Sequence, residues 1–234
     1  MTKLINLYNF FYRSDYRINN YENTLKARAI YLSNFLPLQR YDALDLGCGN
    51  NSTLRILLKL GFKNIIGVDQ LEIMDQNYSD KKIKYVKSDL IEYLKGCKDS
   101  SFDLITIFDV IEHIPLDSIN LLFENVYRVL RSNGSFVIQS PNGSSPFFGS
   151  IFYGDPTHVF CFNEFSLRNL LHSSGFKNEK IKLLECLPLL LTFKSFFRRL
   201  LWLLIRNIYR VFFIIETGSS PNALTRVFLI GATK

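Results

Sequence analysis

Leu44-Asp45-Leu46-Gly47-Cys48-Gly49-Asn50 is the stretch whose reading decides how this 234-residue chain folds. The apolar run from Ala43 to Leu46 predicts a buried strand that breaks at Gly47. Asn51 to Leu60 then predicts a helix with Leu54, Leu57, Leu58 and Leu60 on one face. A strand, a tight glycine turn and a helix start together make a site for a nucleotide-like ligand. Gly47 and Gly49 lack a Cβ, so the chain can turn sharply there and a ligand can approach the backbone. Dinucleotide sites of this type seat a pyrophosphate on the helix N-terminus. Asp45, two residues before the first glycine, would repel it. The position suits a ligand with a cationic amine and no phosphate.

Working outward, Asn64 to Val68 predicts a second strand ending at Asp69-Gln70. Asp69 falls about 20 residues after the glycine turn, where an acid that accepts from both ribose hydroxyls is expected. Ile83 to Val86 predicts a third strand, followed by Asp89-Leu90, and Asp89 is also a suitable N-cap for a helix from Leu90 to Leu94. Phe102 to Asp109 is apolar through its middle and predicts a central parallel strand. It leads into Val110-Ile111-Glu112-His113-Ile114-Pro115. Ser118 to Leu130 predicts an amphipathic helix closed by Asn133-Gly134, with a fifth strand over Ser135 to Gln139. Asn163 to Ser174 predicts a helix, and Lys180 to Cys186 and Arg226 to Thr233 are strand-like. Upstream, Asn23 to Leu36 has helical spacing stopped by Pro37, and Met1 to Tyr21 reads as an irregular arm or loose helix.

Alternating strands and helices imply a doubly wound α/β sheet with its site beyond the strand ends. The length fits one domain, 1–234, with a helical cap over 1–40 and an inserted amphipathic segment over 187–218. The four cysteines are scattered, with no histidine at ligand spacing, so neither a disulfide framework nor a zinc site is expected. With no signal-peptide pattern at the N-terminus, a cytoplasmic protein is expected. The net charge of +7 does not indicate nucleic acid, because Lys194, Arg198, Arg199, Arg206 and Arg210 lie in one stretch without an acid.

That stretch, Leu187 to Ile215, is too interrupted by charge to span a bilayer. On a helical wheel its five basic residues fall within an arc of roughly 160° and most of the apolar ones in the remainder. An interfacial helix over 189–215 on an anionic membrane is expected, each basic residue contributing about 1 kcal/mol. A helix pair packed on its own domain or in a dimer is the competing reading.

The spacing over Asp42 to Lys177 resembles that of Rossmann-like (class I) S-adenosylmethionine-dependent methyltransferases. The resemblance implies a seven-stranded, mostly parallel sheet with helices on both faces, its last strand antiparallel and following the basic apolar insertion. It implies that S-adenosylmethionine is the cofactor. Asp45, Gly47, Cys48 and Gly49 would line the methionine end, Asp69 and Gln70 the ribose, Asp89 and Leu90 the adenine, and Asp109 the methionine again. Asn51 stands where the family usually has a third glycine, and asparagine tolerates such backbone angles.

An aliphatic hydroxyl acceptor needs a base as its proton leaves. The resemblance places the acceptor site at the loop Tyr153-Gly154-Asp155-Pro156-Thr157-His158, so His158 paired with Asp155 is the first candidate and His113 the second. No carboxylate–histidine cluster is visible in the sequence, and no metal is expected. The loop, Phe162-Asn163 and the insertion further resemble methyltransferases of surface-polysaccharide or lipopolysaccharide assembly, which implies a glycan or lipid-linked acceptor. A quinone or isoprenoid precursor, and a non-catalytic S-adenosylmethionine-binding module, remain the alternatives.

Overall fold

The computed structural model describes residues 21–71, 80–190 and 192–234, so the arm expected before Tyr21 lies outside the described residues. Seven strands form one sheet: β1 (Asp42–Leu46), β2 (Asn64–Asp69), β3 (Ile83–Lys87), β4 (Phe102–Phe108), β5 (Leu130–Pro141), β6 (Ile181–Glu185) and β7 (Val227–Thr233). Their order is β3-β2-β1-β4-β5-β7-β6. β1 to β5 run parallel, and β7 is antiparallel to both β5 and β6. This is the mixed, mostly parallel Rossmann-like sheet that the resemblance implies.

Helices cover both faces. They are α1 (Tyr21–Leu32), α2 (Ser52–Lys59), α3 (Leu90–Gly96), α4 (Leu116–Val129), α5 (Phe148–Phe152), α6 (Glu164–Ser173) and α7 (Phe193–Thr217). β4 is buried along its whole length between β1 and β5, which is why its middle carries no charge. The two-residue period of the strands sends alternate side chains into separate apolar layers. Leu44, Leu46, Ile105 and Ile107 join Leu94 of α3, Phe123 of α4 and Leu167 of α6. Ala43, Leu104 and Phe108 join Leu32 of α1 with Leu54 and Leu57 of α2. Asp45 and Thr106 share this second parity, so they face the α1–α2 side.

Two sequence expectations need correction. Asn133-Gly134 does not close the helix: α4 ends at Val129 and the chain enters β5 at once. Leu130 pairs with Phe102, but the next match is Leu104 with Ser135, so the residues between them bulge out, with Asn133 at φ 64°. Arg131, in this bulge, reaches Asp42 at 2.7 Å and Asp103 at 2.9 Å, which compensates the buried acid at the lower edge of β4. A turn signal inside a strand marks a bulge as readily as a cap.

The second correction concerns the stretch before β7. It contains one continuous helix, α7, opened by a Thr192–Ser195 capping box and closed by Gly218 in the left-handed conformation. Arg199, Arg206 and Arg210 are half-buried. Arg206 pairs with Glu185 of β6, and Arg210 donates to the Asn222 carbonyl at 3.1 Å. The basic residues therefore do not form one solvent-facing stripe, because acceptors on the domain draw Arg206 and Arg210 inward and Arg199 is half-buried with them.

Candidate active site

The upper ends of β1, β2, β3 and β4 form a polar edge. Gly47 turns the chain after β1 with φ 74°, and its N–H donates to the Val68 carbonyl at 2.8 Å. A Cβ here would stand 2.4 Å from Val110 Cγ2, so only glycine lets this turn pack against the loop after β4. The Gly49 N–H donates to Asp69 Oδ2 at 2.9 Å, and Leu71 N–H donates to Asp69 Oδ1 at 2.9 Å. The end of β2 is thereby clamped to the glycine turn. Cys48 turns its thiol inward, and a Cβ on Gly67 would come 2.8 Å from its Sγ. Burial raises the Cys48 pKa well above the ordinary thiol value.

Asp45 is 2% exposed and accepts from Thr106 Oγ1 at 2.6 Å. Burial raises its pKa to about 7, against the lowering effects of the Thr106 hydrogen bond and the Arg28 charge. Asp109, at the end of β4, has φ 57°, a conformation that aspartate tolerates better than most residues. Its carboxylate accepts twice from Gln139 Nε2, at 2.9 and 2.8 Å, and pairs with Arg28 at 3.1 Å. Arg28 also reaches Ser52 Oγ at 3.3 Å and lies 5.1 Å from the Phe108 ring centroid. Asp89 caps α3 by accepting from the Ile91 and Glu92 N–H groups, and its other oxygen accepts from Gln70 at 2.8 Å. Leu90 beside it is buried. The nine residues picked out on the cofactor side thus lie along one sheet edge or in the turn at its centre.

A second group follows β4. The 3-10 turn Ile111–His113 carries Glu112, whose backbone carbonyl accepts from Val159 N–H at 2.7 Å and so ties the distant loop to this turn. The rings of His113 and His158 lie 4.8 Å apart. The Asp155 carboxylate does not bond to the His158 ring; the two residues meet through the backbone, where His158 N–H donates to the Asp155 carbonyl at 3.2 Å. Asp155 Oδ1 accepts from the Thr157 hydroxyl at 2.6 Å, and the hydroxyl oxygen Oγ1 is 2.9 Å from His113 Nδ1. Since the Thr157 proton is committed to Asp155, His113 Nδ1 is the donor, and its Nε2 carries the lone pair when neutral. His158 Nδ1 lies 3.1 Å from the Phe152 carbonyl, which fixes the same tautomer.

Burial, reinforced by His158, lowers the His113 pKa below the usual histidine value. Burial, followed by the Asp109 charge, raises Glu112 well above the usual carboxylate range. Burial acts against ionised Asp155 as well, but the two Thr157 hydrogen bonds outweigh it and hold its pKa low. Glu112, His113 and His158 each offer a ligand-type atom, all within 4.8 Å of one another. The cluster absent from the sequence reading is therefore present in the fold, hidden because His158 is 45 residues from His113 in the chain.

Sequence reasoning also passed over Arg28, Thr106 and Gln139. Arg28 had a signal: it sits on the same helical face as Leu25, Ala29 and Leu32, the face the apolar spacing turns inward. Gln139 closes an apolar strand, as Asp69 does, and could have been marked on that ground. Thr106 is one polar residue within a buried strand, where its partner on β1 cannot be read without the register.

A family model described as a methyltransferase domain matches residues 20–181. The chain belongs to this family, whose methyl donor is S-adenosylmethionine. It is 22% identical over 140 residues to the mitochondrial ubiquinone biosynthesis O-methyltransferase of Dictyostelium discoideum, a match covering 54% of this chain and 42% of the relative. It is 25% identical over 138 residues to the sterol 24-C-methyltransferase of Saccharomyces cerevisiae, covering 55% and 35% respectively. The matches thus span less than half the length of these two relatives. Among solved structures, it is similar to an S-adenosylmethionine-dependent methyltransferase from Archaeoglobus fulgidus, with 25% identity and a TM-score of 0.69. That match covers 94% of this chain and 100% of the other.

Proposed function

We propose that the chain transfers a methyl group from S-adenosylmethionine to a hydroxyl of a glycan or lipid-linked saccharide at the inner face of a cytoplasmic membrane. The observation that carries the donor half is a row of aspartates. Following the strand order, Asp89, Asp69, Asp45 and Asp109 stand at the upper ends of β3, β2, β1 and β4. With strands ~4.8 Å apart, the row extends roughly 14 Å, a span suited to a nucleoside bearing an amino-acid arm. Asp89 with Leu90 would hold the adenine, Asp69 with Gln70 the ribose, and Asp45 and Asp109 the cationic end. Arg28 is the cation available for the donor's carboxylate.

When bound, the donor supplies a methyl group on a cationic sulfur. Displacement from sulfur needs no acid on the protein, so much of the protein's contribution is alignment. The acceptor hydroxyl proton passes to a neutral imidazole at Nε2, His158 first and His113 second, while Asp155 positions His113 through Thr157. A second reading takes the acceptor as a quinone or isoprenoid lipid precursor, and the likeness to a ubiquinone biosynthesis O-methyltransferase favours it. Both readings share a hydroxyl acceptor.

The test is calorimetry with S-adenosylmethionine, followed by labelled donor added to membrane extracts and separation of lipid from sugar products. Donor binding abolished by Asp69→Ala supports the site, and unchanged affinity overturns it. Label in the saccharide fraction supports the first reading, and label in the non-sugar lipid fraction the second.

A further inference from the structure

The helix α7 is built with its polar and apolar faces reversed relative to water. Its half-buried side carries Trp202, Leu203, Arg206, Tyr209, Arg210 and Phe213 against the domain. Its exposed side carries Phe196, Leu200, Leu204, Ile208, Val211 and Ile215, and Leu204, Ile208 and Ile215 are 57, 56 and 76% exposed. At 100° per residue these outward positions, with their exposed neighbours from Leu200 to Ile215, occupy an arc of about 180°. Between Leu200 and Ile215 the only polar residue in that arc is Asn207, and Lys194 joins it at the start of the helix. The helix is roughly 37 Å long at 1.5 Å per residue.

Three observations say what covers this face. An apolar stripe of about 100° already suffices for a helix to dock on a protein surface, and the further breadth of this arc is what a helix half-sunk in acyl chains uses. No acid occurs between Leu187 and Ile215, and Lys194 and Arg198 are exposed at the helix start. Glu216 is the one acid of α7, so a twofold pairing with a second copy would set the exposed Lys194 and Arg198 of each helix against a single counter-charge. An anionic leaflet supplies the missing counter-charge. Among the described residues no helix is long and apolar enough to cross a membrane, so the arrangement is that of a helix lying along the surface.

The patch also continues toward the histidines. Phe147 packs on Trp202 with ring centroids 5.8 Å apart, and Phe147, Phe148 and Tyr153 are exposed on the α5 segment. The same segment ends at Phe152, whose ring stacks on His158 at 5.8 Å. We propose that α7 embeds its outward apolar face in an anionic lipid leaflet and brings the α5 edge of the site to that surface, so that the acceptor is taken from the bilayer. Insertion of apolar side chains, with headgroup attraction second, holds the protein there. The acceptor part rests on the methyltransferase reading, and the membrane contact does not.

Flotation of the full chain with phosphatidylcholine vesicles containing 30 mol% phosphatidylglycerol tests it, alongside light scattering without vesicles. The expected result is a monomer that floats with the vesicles and keeps at least half its bound fraction in 0.5 M NaCl. Leu204→Glu/Ile208→Glu is expected to lower the bound fraction at least tenfold, with an unchanged melting temperature showing that the fold persists. Absence of flotation, or flotation indifferent to the double variant, would overturn the proposal. So would a stable dimer that the double variant converts to monomer, since the face would then be an interface between copies. Donor binding measured separately keeps failure of the methyltransferase reading distinct from failure of the membrane contact.

Discussion

The Thr106 hydroxyl on β4 donates to the Asp45 carboxylate on neighbouring β1 at 2.6 Å, yet burial still raises the Asp45 pKa to about 7. Its ordinary value is about 4, so the folded protein holds this proton over a window where the unfolded chain has released it. Stability from this group is therefore present at acid pH and is lost as pH rises from about 4 through 7, by up to about 4 kcal/mol. A cationic donor favours the ionised form, so binding at pH 6 should release close to one proton, falling to none above pH 8. Calorimetry in buffers of different ionisation enthalpy measures this number directly. Thr106→Val should cost about 1–2 kcal/mol of stability, with the larger loss above pH 7.

Arg28 and Asp109 are tied across the mouth of the site at 3.1 Å, with Gln139 holding the carboxylate from the other side. Both side chains retain some exposure, so the pair should add little to folding. Its expected weight lies in donor binding, where a charged hydrogen bond is worth about 1.5–3 kcal/mol. Arg28→Ala should weaken S-adenosylmethionine binding about 10- to 100-fold while moving the melting temperature only slightly, and Arg28→Lys should recover part of the affinity. Titration calorimetry beside a thermal melt separates the two effects.

The succession of strands along the chain and the acids near their ends were legible in the sequence because each rests on a local signal. Most positions of β1 and β4 are apolar because these strands are central, and an acid at the end of such a run, as Asp45 and Asp109 are, has a sheet edge to stand on. What could not be read depends on partners far away in the chain. Thr106 acquires its meaning only from the β1–β4 register, and His158 meets Glu112 only because Val159 bonds back to the turn after β4. The same reason hid the orientation of α7. A helical wheel separates charged from apolar faces, but only Glu185 and the Asn222 carbonyl decide which face turns inward.

Gly47 and Gly49 offer a paired test of the turn. Both have positive φ, but a Cβ on Gly47 would strike Val110 at 2.4 Å, whereas nothing lies within 4 Å of one on Gly49. Gly47→Ala should therefore combine backbone strain of about 1–2 kcal/mol with overpacking of similar size and lower the melting temperature markedly. Gly49→Ala should meet the strain alone. Its methyl group would occupy the open side of the turn, so it should lose donor affinity out of proportion to its stability.

Glu112 gives the sharpest test of the histidine cluster, because two states of the site make opposite demands on it. It is 1% exposed, and burial together with Asp109 raises its pKa well above the usual range, so the folded chain favours its neutral form. Stability from this group is then lost as pH rises above the ordinary carboxylate value. Glu112→Gln, which keeps the shape and cannot ionise, should stabilise the protein more at pH 8 than at pH 5. With His113 as the base, the acid limb of kcat/KM should stay on the low side of the ordinary histidine range in this variant too, where the lowered His113 value places it. A divalent ion among Glu112, His113 and His158 would instead require an ionised carboxylate. In that case Glu112→Gln would destabilise the protein at pH 8 and abolish any rise in melting temperature on adding the metal. Thermal melts of both forms at the two pH values, with and without Mn²⁺ or Zn²⁺, distinguish these outcomes.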